Sequence, residues 1–325
     1  MANRPNDSSR SDAPSRRFHP VWIVMVVVAT LLLAGLVAIP AVLVSETKPP
    51  AAAPAPSDAS GQNRNGAGSA PAVVEQSPSP GKLRQAKTVQ VDFSPPADED
   101  MPSGPFGDAV RLGQKIFTDT QTYARPYVGN KLRCVNCHLG AGRKADSAPL
   151  WAAYGMFPAY REKNKRVNTY EDRLTGCFRF SMNGKAPPRD SKEMVALVSY
   201  SYWLAKGAPT GVALKGRGYP KLAQPARSPD ATRGKAVFDA NCAICHGADG
   251  HGTQANGGYA FPPLWGPNSF NEGAGMARVP KAAAFIHANM PLGKGNSLSE
   301  QDAWDVAQYM DSQPRPPDPR VAKSR

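Results

Sequence analysis

Four of the five cysteines in this 325-residue chain fall into one pattern used twice. Cys134-Val135-Asn136-Cys137-His138 and Cys242-Ala243-Ile244-Cys245-His246 are both Cys-x-x-Cys-His, the attachment signature of a c-type haem. In that arrangement both thiols form thioethers to the porphyrin vinyl groups, and the adjacent histidine ligates the iron. A single Cys-x-x-Cys would suit zinc or dithiol chemistry equally well. Two copies, each followed at once by histidine, predict two covalently bound haem c groups. Cys134, Cys137, Cys242 and Cys245 are the attachment residues, and His138 and His246 the proximal ligands.

Each iron then needs a sixth ligand or an open position. Met290 stands 44 residues past His246, in Asn289-Met290-Pro291, and nine before Ser299. A thioether there raises the reduction potential and suits electron transfer. Met276 and His287 are the competitors, and both read as ordinary loop and helix residues. The first motif has two candidates. Met182 lies 44 residues past His138 and nine before Ser191, the register of Met290. Cys177, the fifth cysteine, lies five residues earlier, and a thiolate beside ferric iron is a strongly favoured ligand that would lower the potential. Spacing alone leaves Cys177 and Met182 level.

The elements that must hold these residues repeat as well. Gly113-x-x-x-Phe117 precedes the first motif in the apolar-periodic stretch Asp108–Thr118, and Gly234-x-x-x-Phe238 precedes the second. Each half closes on a stretch with apolar residues at i, i+3, i+4 spacing: Ser191–Lys206 with Tyr200 and Trp203, and Ser299–Asp311 with Trp304 and Tyr309. A glycine on the opening helix lets the closing helix cross close by. The expected fold is all-α, two tandem cytochrome c domains at 105–225 and 226–312. The first carries an insertion, since 21 positions separate Gly113 from Cys134 against eight from Gly234 to Cys242.

Ahead of them, Val21–Val44 is an uncharged apolar run, long enough to span a bilayer. Arg10, Arg16 and Arg17 precede it, which by the positive-inside bias keeps residues 1–20 in the cytoplasm and exports the rest. The reading is a transmembrane anchor at 21–45, single-pass in the inner membrane, with the haem domains in the periplasm. Residues 46–104 are rich in Pro, Ala and Ser and read as a disordered linker, and 313–325 as a disordered tail. Net charge is +13, of which 105–225 alone carries +12. Such a field concentrates small anions around the first haem domain or offers a face to an acidic partner; export excludes nucleic acid.

The segment Val167-Asn-Thr-Tyr-Glu-Asp-Arg173-Leu-Thr-Gly-Cys177-Phe-Arg-Phe-Ser-Met182-Asn-Gly-Lys-Ala-Pro-Pro resembles the tetrathionate-forming thiosulfate dehydrogenases, periplasmic dihaem cytochromes c. The likeness covers most of 105–312. It implies the reaction 2 thiosulfate → tetrathionate + 2 electrons, with electrons passing from the first haem to the second and on to an external cytochrome or oxidase. It implies Cys177 as distal ligand of a catalytic first haem, displaced to open the site or acting as a nucleophile. It implies Arg173 as a substrate-holding cation. Arg166 and Lys165 are candidates to pair with the sulfonate oxygens beside it. Some members carry Lys directly before the second haem's methionine; Asn289 stands here instead, which favours plain Met290 ligation. Two other functions fit the residues: a membrane-tethered dihaem electron carrier with no substrate site, and a cytochrome acting on the sulfur of a carrier protein.

Overall fold

A computed structural model describes residues 90–162 and 164–321, which belong to one compact unit. The tail at 1–20, the anchor at 21–45 and most of the expected linker lie outside the described residues. Among the described residues no helix is long and apolar enough to cross a membrane.

Two helix pairs form the frame. In the first, α1 (Gly104–Thr118) starts at Ser103 with Pro105 in its first turn and buries Val110, Gly113, Ile116 and Phe117, a stripe of helical period. It crosses α3 (Lys192–Leu204), whose Ser191 hydroxyl accepts the Met194 N–H at 3.2 Å. The crossing is as close as backbones allow: a Cβ on Gly113 would lie 2.1 Å from the Ala196 carbonyl oxygen. Phe117 and Tyr200 pack there with ring centres 6.0 Å apart.

The second pair repeats this geometry. Helix α4 (Ala231–Asn241) is capped by Asp230, and α6 (Glu300–Asp311) by Ser299. A Cβ on Gly234 would lie 2.0 Å from the Asp305 carbonyl oxygen, and Phe238 sits 5.6 Å from Tyr309. Two further helices place the distal loops: α2 (Tyr170–Gly176) and α5 (Val279–Asn289).

The fold is helix-rich but not purely α. Three two-stranded sheets accompany the helices: parallel β1 (Gln90–Val91) with β4 (Ala213–Leu214), antiparallel β2 (Ala159–Arg161) with β3 (Arg166–Asn168), and antiparallel β5 (Thr253–Ala255) with β6 (Gly258–Phe261). Strands this short leave no period-2 pattern to read.

Both chain segments expected to be disordered are ordered in part. Residues 90–104, assigned to the linker, pair through β1, pack Phe93 on Trp151 at 5.7 Å, and hold Arg143 through Pro96 and Asp98. Residues 313–321, assigned to the tail, lie along the second half. Gly266 N–H donates to Pro314 at 2.8 Å and Glu272 N–H to Pro316 at 3.0 Å, while Arg315 stacks on Phe270. Proline has no N–H to give, but its carbonyl accepts like any other, so a proline-rich segment can still be fastened from one side.

Candidate haem pockets and an adjoining arginine cleft

Each Cys-x-x-Cys-His lines an apolar cavity. The first cavity is walled by Cys134, Cys137, His138, Cys177, Phe178 and Met182 among others, the second by Cys242, Cys245, His246, Phe261, Met276 and Met290. Counted out to their mouths they hold about 1350 and about 1230 Å³. Leu132 and Cys137 line both, so the two cavities share a wall.

The residues present fit a haem in each. His138 Nδ1 lies 2.7 Å from the Ala148 carbonyl oxygen, and His246 Nδ1 lies 2.8 Å from that of Pro262. A carbonyl only accepts, so Nδ1 carries the proton and Nε2 keeps its lone pair, the tautomer a metal ligand needs. Burial pushes His246 below its ordinary value, which favours the neutral ring. Burial also pushes Cys134 and Cys137 up to about 12 and Cys242 up to about 11. These thiols are poor free nucleophiles and are spaced for thioether attachment.

Cys177 is the exception. Burial pushes its thiol up, while the Arg173 guanidinium on its sulfur pulls it back down. The geometry begins in α2. Thr169 accepts the Asp172 N–H while Asp172 accepts the Thr169 N–H at 3.0 Å, a reciprocal cap that fixes the helix start. Arg173 and Cys177 are then one turn apart on the same face, and Arg173 Nη1 donates to Cys177 Sγ at 3.0 Å. Cys177 opens a π-turn, Cys177–Ser181, a local widening frequent at functional sites.

Two buried asparagines hold this loop, and sequence reading missed both. Asn130 Nδ2 donates to the Ser181 and Ser269 carbonyls at 2.8 and 3.0 Å. Asn271 Nδ2 donates to the Arg179 carbonyl at 3.0 Å and to Asn183 Oδ1 at 2.9 Å. The loop that carries Cys177 is therefore clamped by Asn130 of the first half and Asn271 of the second. Isolated asparagines give no sequence pattern that would reveal this.

Met182 and Met290 occupy unlike settings despite equal spacing. Met182 is 3 % exposed and lines the first cavity beside Cys177. Met290 follows α5 and lines the second cavity together with Met276, whereas His287 does not. Asn289, the residue before Met290, is buried and held from three sides: its Oδ1 accepts from Lys144 Nζ at 2.8 Å, and its Nδ2 donates to Asp146 and Phe285.

Arg173 belongs to a second concavity as well. A cleft lined by Arg161, Arg166, Arg173, Arg179, Arg320 and Asp172 adjoins the first cavity, sharing Phe157, Arg161 and Arg173 with it. Of the expected site residues, Arg166 lies in this cleft, 3.7 Å from Asp172, and not in the cavity with Cys177. Lys165 is not among the cleft's lining; it pairs with Glu162. Arg161, Arg179 and Arg320 were not singled out from sequence, though Arg179 stands within the segment quoted above.

Paired thiols beside a histidine, fixed against carbonyls in apolar cavities, define a cytochrome c, and residues 231–314 match the cytochrome c family. The chain is 55% identical over 249 residues to the thiosulfate dehydrogenase of Thiomonas intermedia, covering 77% of this chain and 79% of that protein. It is 58% identical to that of Stutzerimonas stutzeri, over 70% of this chain and 75% of that one. The solved structure of the thiosulfate dehydrogenase TsdBA from Marichromatium purpuratum aligns with TM-score 0.69 at 51% identity, over 70% of this chain; the chain spans about half, 51%, of that one. The protein belongs to the thiosulfate dehydrogenase family and is an enzyme of that kind.

Proposed function

We propose that the protein joins two thiosulfate dianions into tetrathionate, releasing two electrons to an external acceptor. The observation that carries this reading is the Arg173 guanidinium donating to Cys177 Sγ at 3.0 Å in the cavity of the first motif. A cytochrome that only carries electrons has no use for an activated thiol beside an arginine-lined cleft.

Haem c bound at the two motifs supplies a one-electron acceptor in each cavity; the rest is the work of side chains. Cys177 would hold a haem iron in the first cavity and Met290 one in the second. Thiolate against thioether sets the first potential below the second, and the shared wall of Leu132 and Cys137 keeps the two sites adjacent. Arg173 stabilises the Cys177 thiolate and is placed to offer the same guanidinium to a sulfonate. The two halves are two cytochrome c domains in tandem. The apolar run Val21–Val44 places them outside the inner membrane, where c-type haem is attached and where the acceptor, a cytochrome or an oxidase, collects the electrons.

The test is optical. Thiosulfate added anaerobically to the oxidised, purified protein should reduce it within the mixing time of a stopped-flow experiment, and Cys177→Ala should remove that reduction while dithionite still reduces both haems. A wild-type protein that thiosulfate leaves oxidised, and that tetrathionate does not reoxidise after reduction, would refute the assignment.

A further inference from the structure

The arginine cleft beside the first cavity has features that packing alone does not explain. Arg161 and Arg166 stand directly opposite each other in the β2–β3 ladder, and like charges facing across a strand pair are destabilising. Arg179 and Arg320 both lie over the ring of Phe180, at 5.4 and 4.8 Å. Five arginines thus line one concavity whose single lining carboxylate, Asp172, is already shared between Arg166 and Arg189.

Arg320 reaches this place from the far end of the chain. The segment Pro314–Asp318 is fastened to Gly266 and Glu272 by backbone hydrogen bonds, and Asp318 N–H donates to Glu272 Oε2 at 3.2 Å. Asp318, itself 8 % exposed, then takes Arg320 Nε at 3.0 Å and also its Nη2. The guanidinium is aimed by a buried carboxylate while Nη1 has no partner among the described residues.

We infer that this cleft is a second anion subsite: it holds the sulfonate of the thiosulfate that does not lie at Cys177, and equally the outer sulfonate of tetrathionate. The inference rests on the activity proposed above and extends it to named residues. Tetrathionate carries a sulfonate at each end of a chain of four sulfurs. A product that leaves one end near Cys177 therefore needs a separate cation site for the other. The cleft meets that need because it shares Arg161 and Arg173 with the first cavity and supplies planar donors suited to sulfonate oxygens. Arg161, Arg179 and Arg320 are specificity-determining residues here, and Asp318 a positioning residue for Arg320.

The experiment uses the full-length holoprotein in four forms: wild type, Arg320→Gln, Arg161→Gln, and Lys235→Gln as a control at a surface cation paired with Asp239. Tetrathionate binding to the oxidised protein is measured by calorimetry, and KM and kcat with thiosulfate are measured alongside. Loss of one charge-assisted contact should weaken tetrathionate binding and raise KM roughly tenfold in either cleft variant. kcat should stay within about twofold, Arg320→Lys should recover part of the loss, and the control should match wild type. Normal reduction of both haems by dithionite certifies the fold, and Arg161→Gln carries the test if Arg320→Gln does not assemble. Tetrathionate affinity and KM equal to the control in the cleft variants, with an active wild type, would overturn the subsite while leaving the activity standing. A wild type inert to thiosulfate would remove the activity and the subsite together.

Discussion

The two Cys-x-x-Cys-His cavities are built alike on one side and unlike on the other. In both, a glycine admits a crossing helix at backbone contact, an aromatic ring packs on that crossing, and a backbone carbonyl fixes the histidine tautomer. The distal sides diverge. The first carries a thiol with a guanidinium on its sulfur, clamped by buried asparagines and opening on a cleft of arginines. The second carries a methionine in an apolar wall, with its preceding asparagine locked in place. The shared half is what holding a cofactor requires. The divergent half is what the proposed reaction draws on.

Exchange of the distal residue is the strongest way to break this contrast. Cys177→Met should turn the first cavity into a copy of the second: thiosulfate oxidation falls by on the order of 10³-fold or more, as for loss of an activated nucleophile, while the potential of the first haem rises in a spectroelectrochemical titration. Retained turnover would show that the thiol is not what separates the cavities. Alanine at Gly113 or at Gly234 addresses the shared half. Each Cβ would enter backbone from the facing helix, and each variant should lose about 2–3 kcal/mol in chemical denaturation; a large difference between the two would show that the crossings are not equivalent.

Smaller effects sharpen the comparison. Asn130→Ala leaves the buried Ser181 and Ser269 carbonyls without their donor and should cost about 1–3 kcal/mol. It should also lower kcat more than it raises KM, because the loop it releases carries Cys177. Asn289→Ala should cost about 1 kcal/mol and change the visible spectrum of the holoprotein, leaving thiosulfate KM unchanged.

The smallest effect concerns Asp311, whose carboxyl burial raises to about 7 and whose oxygens lack hydrogen bonds, although Arg315 lies 3.6 Å away. A raised carboxyl binds a proton in the folded state that the unfolded chain has released, so stability declines as pH climbs from about 4 to about 7. Asp311→Asn should flatten that part of a melting-temperature profile, and an unchanged slope would exclude Asp311 as its source.

Much of the shared half was legible in the sequence, and little of the divergent half. Gly113 and Gly234, the cap residues Ser191 and Ser299, and both haem motifs announce themselves by spacing, because helix period and attachment chemistry act over a few residues. Cys177 and Met182 could not be ranked by spacing, and both line the first cavity. The cleft was harder still. Arg161 and Arg166 sit on strands of three residues, too short to show alternation. Arg320 lies in a stretch whose prolines suggest disorder, yet their carbonyls, the Asp318 N–H and the Arg315 side chain tie it down.

That tie has a consequence for how the protein is made. The cleft beside the first motif is completed by Arg320, so a ribosome delivers both Cys-x-x-Cys-His motifs and Cys177 well before that wall of the cleft. A nascent or prematurely ended chain can carry every residue needed to fix its cofactors and yet present only part of the arginine cleft. Order of synthesis thus separates acquiring colour from completing the arginine cleft.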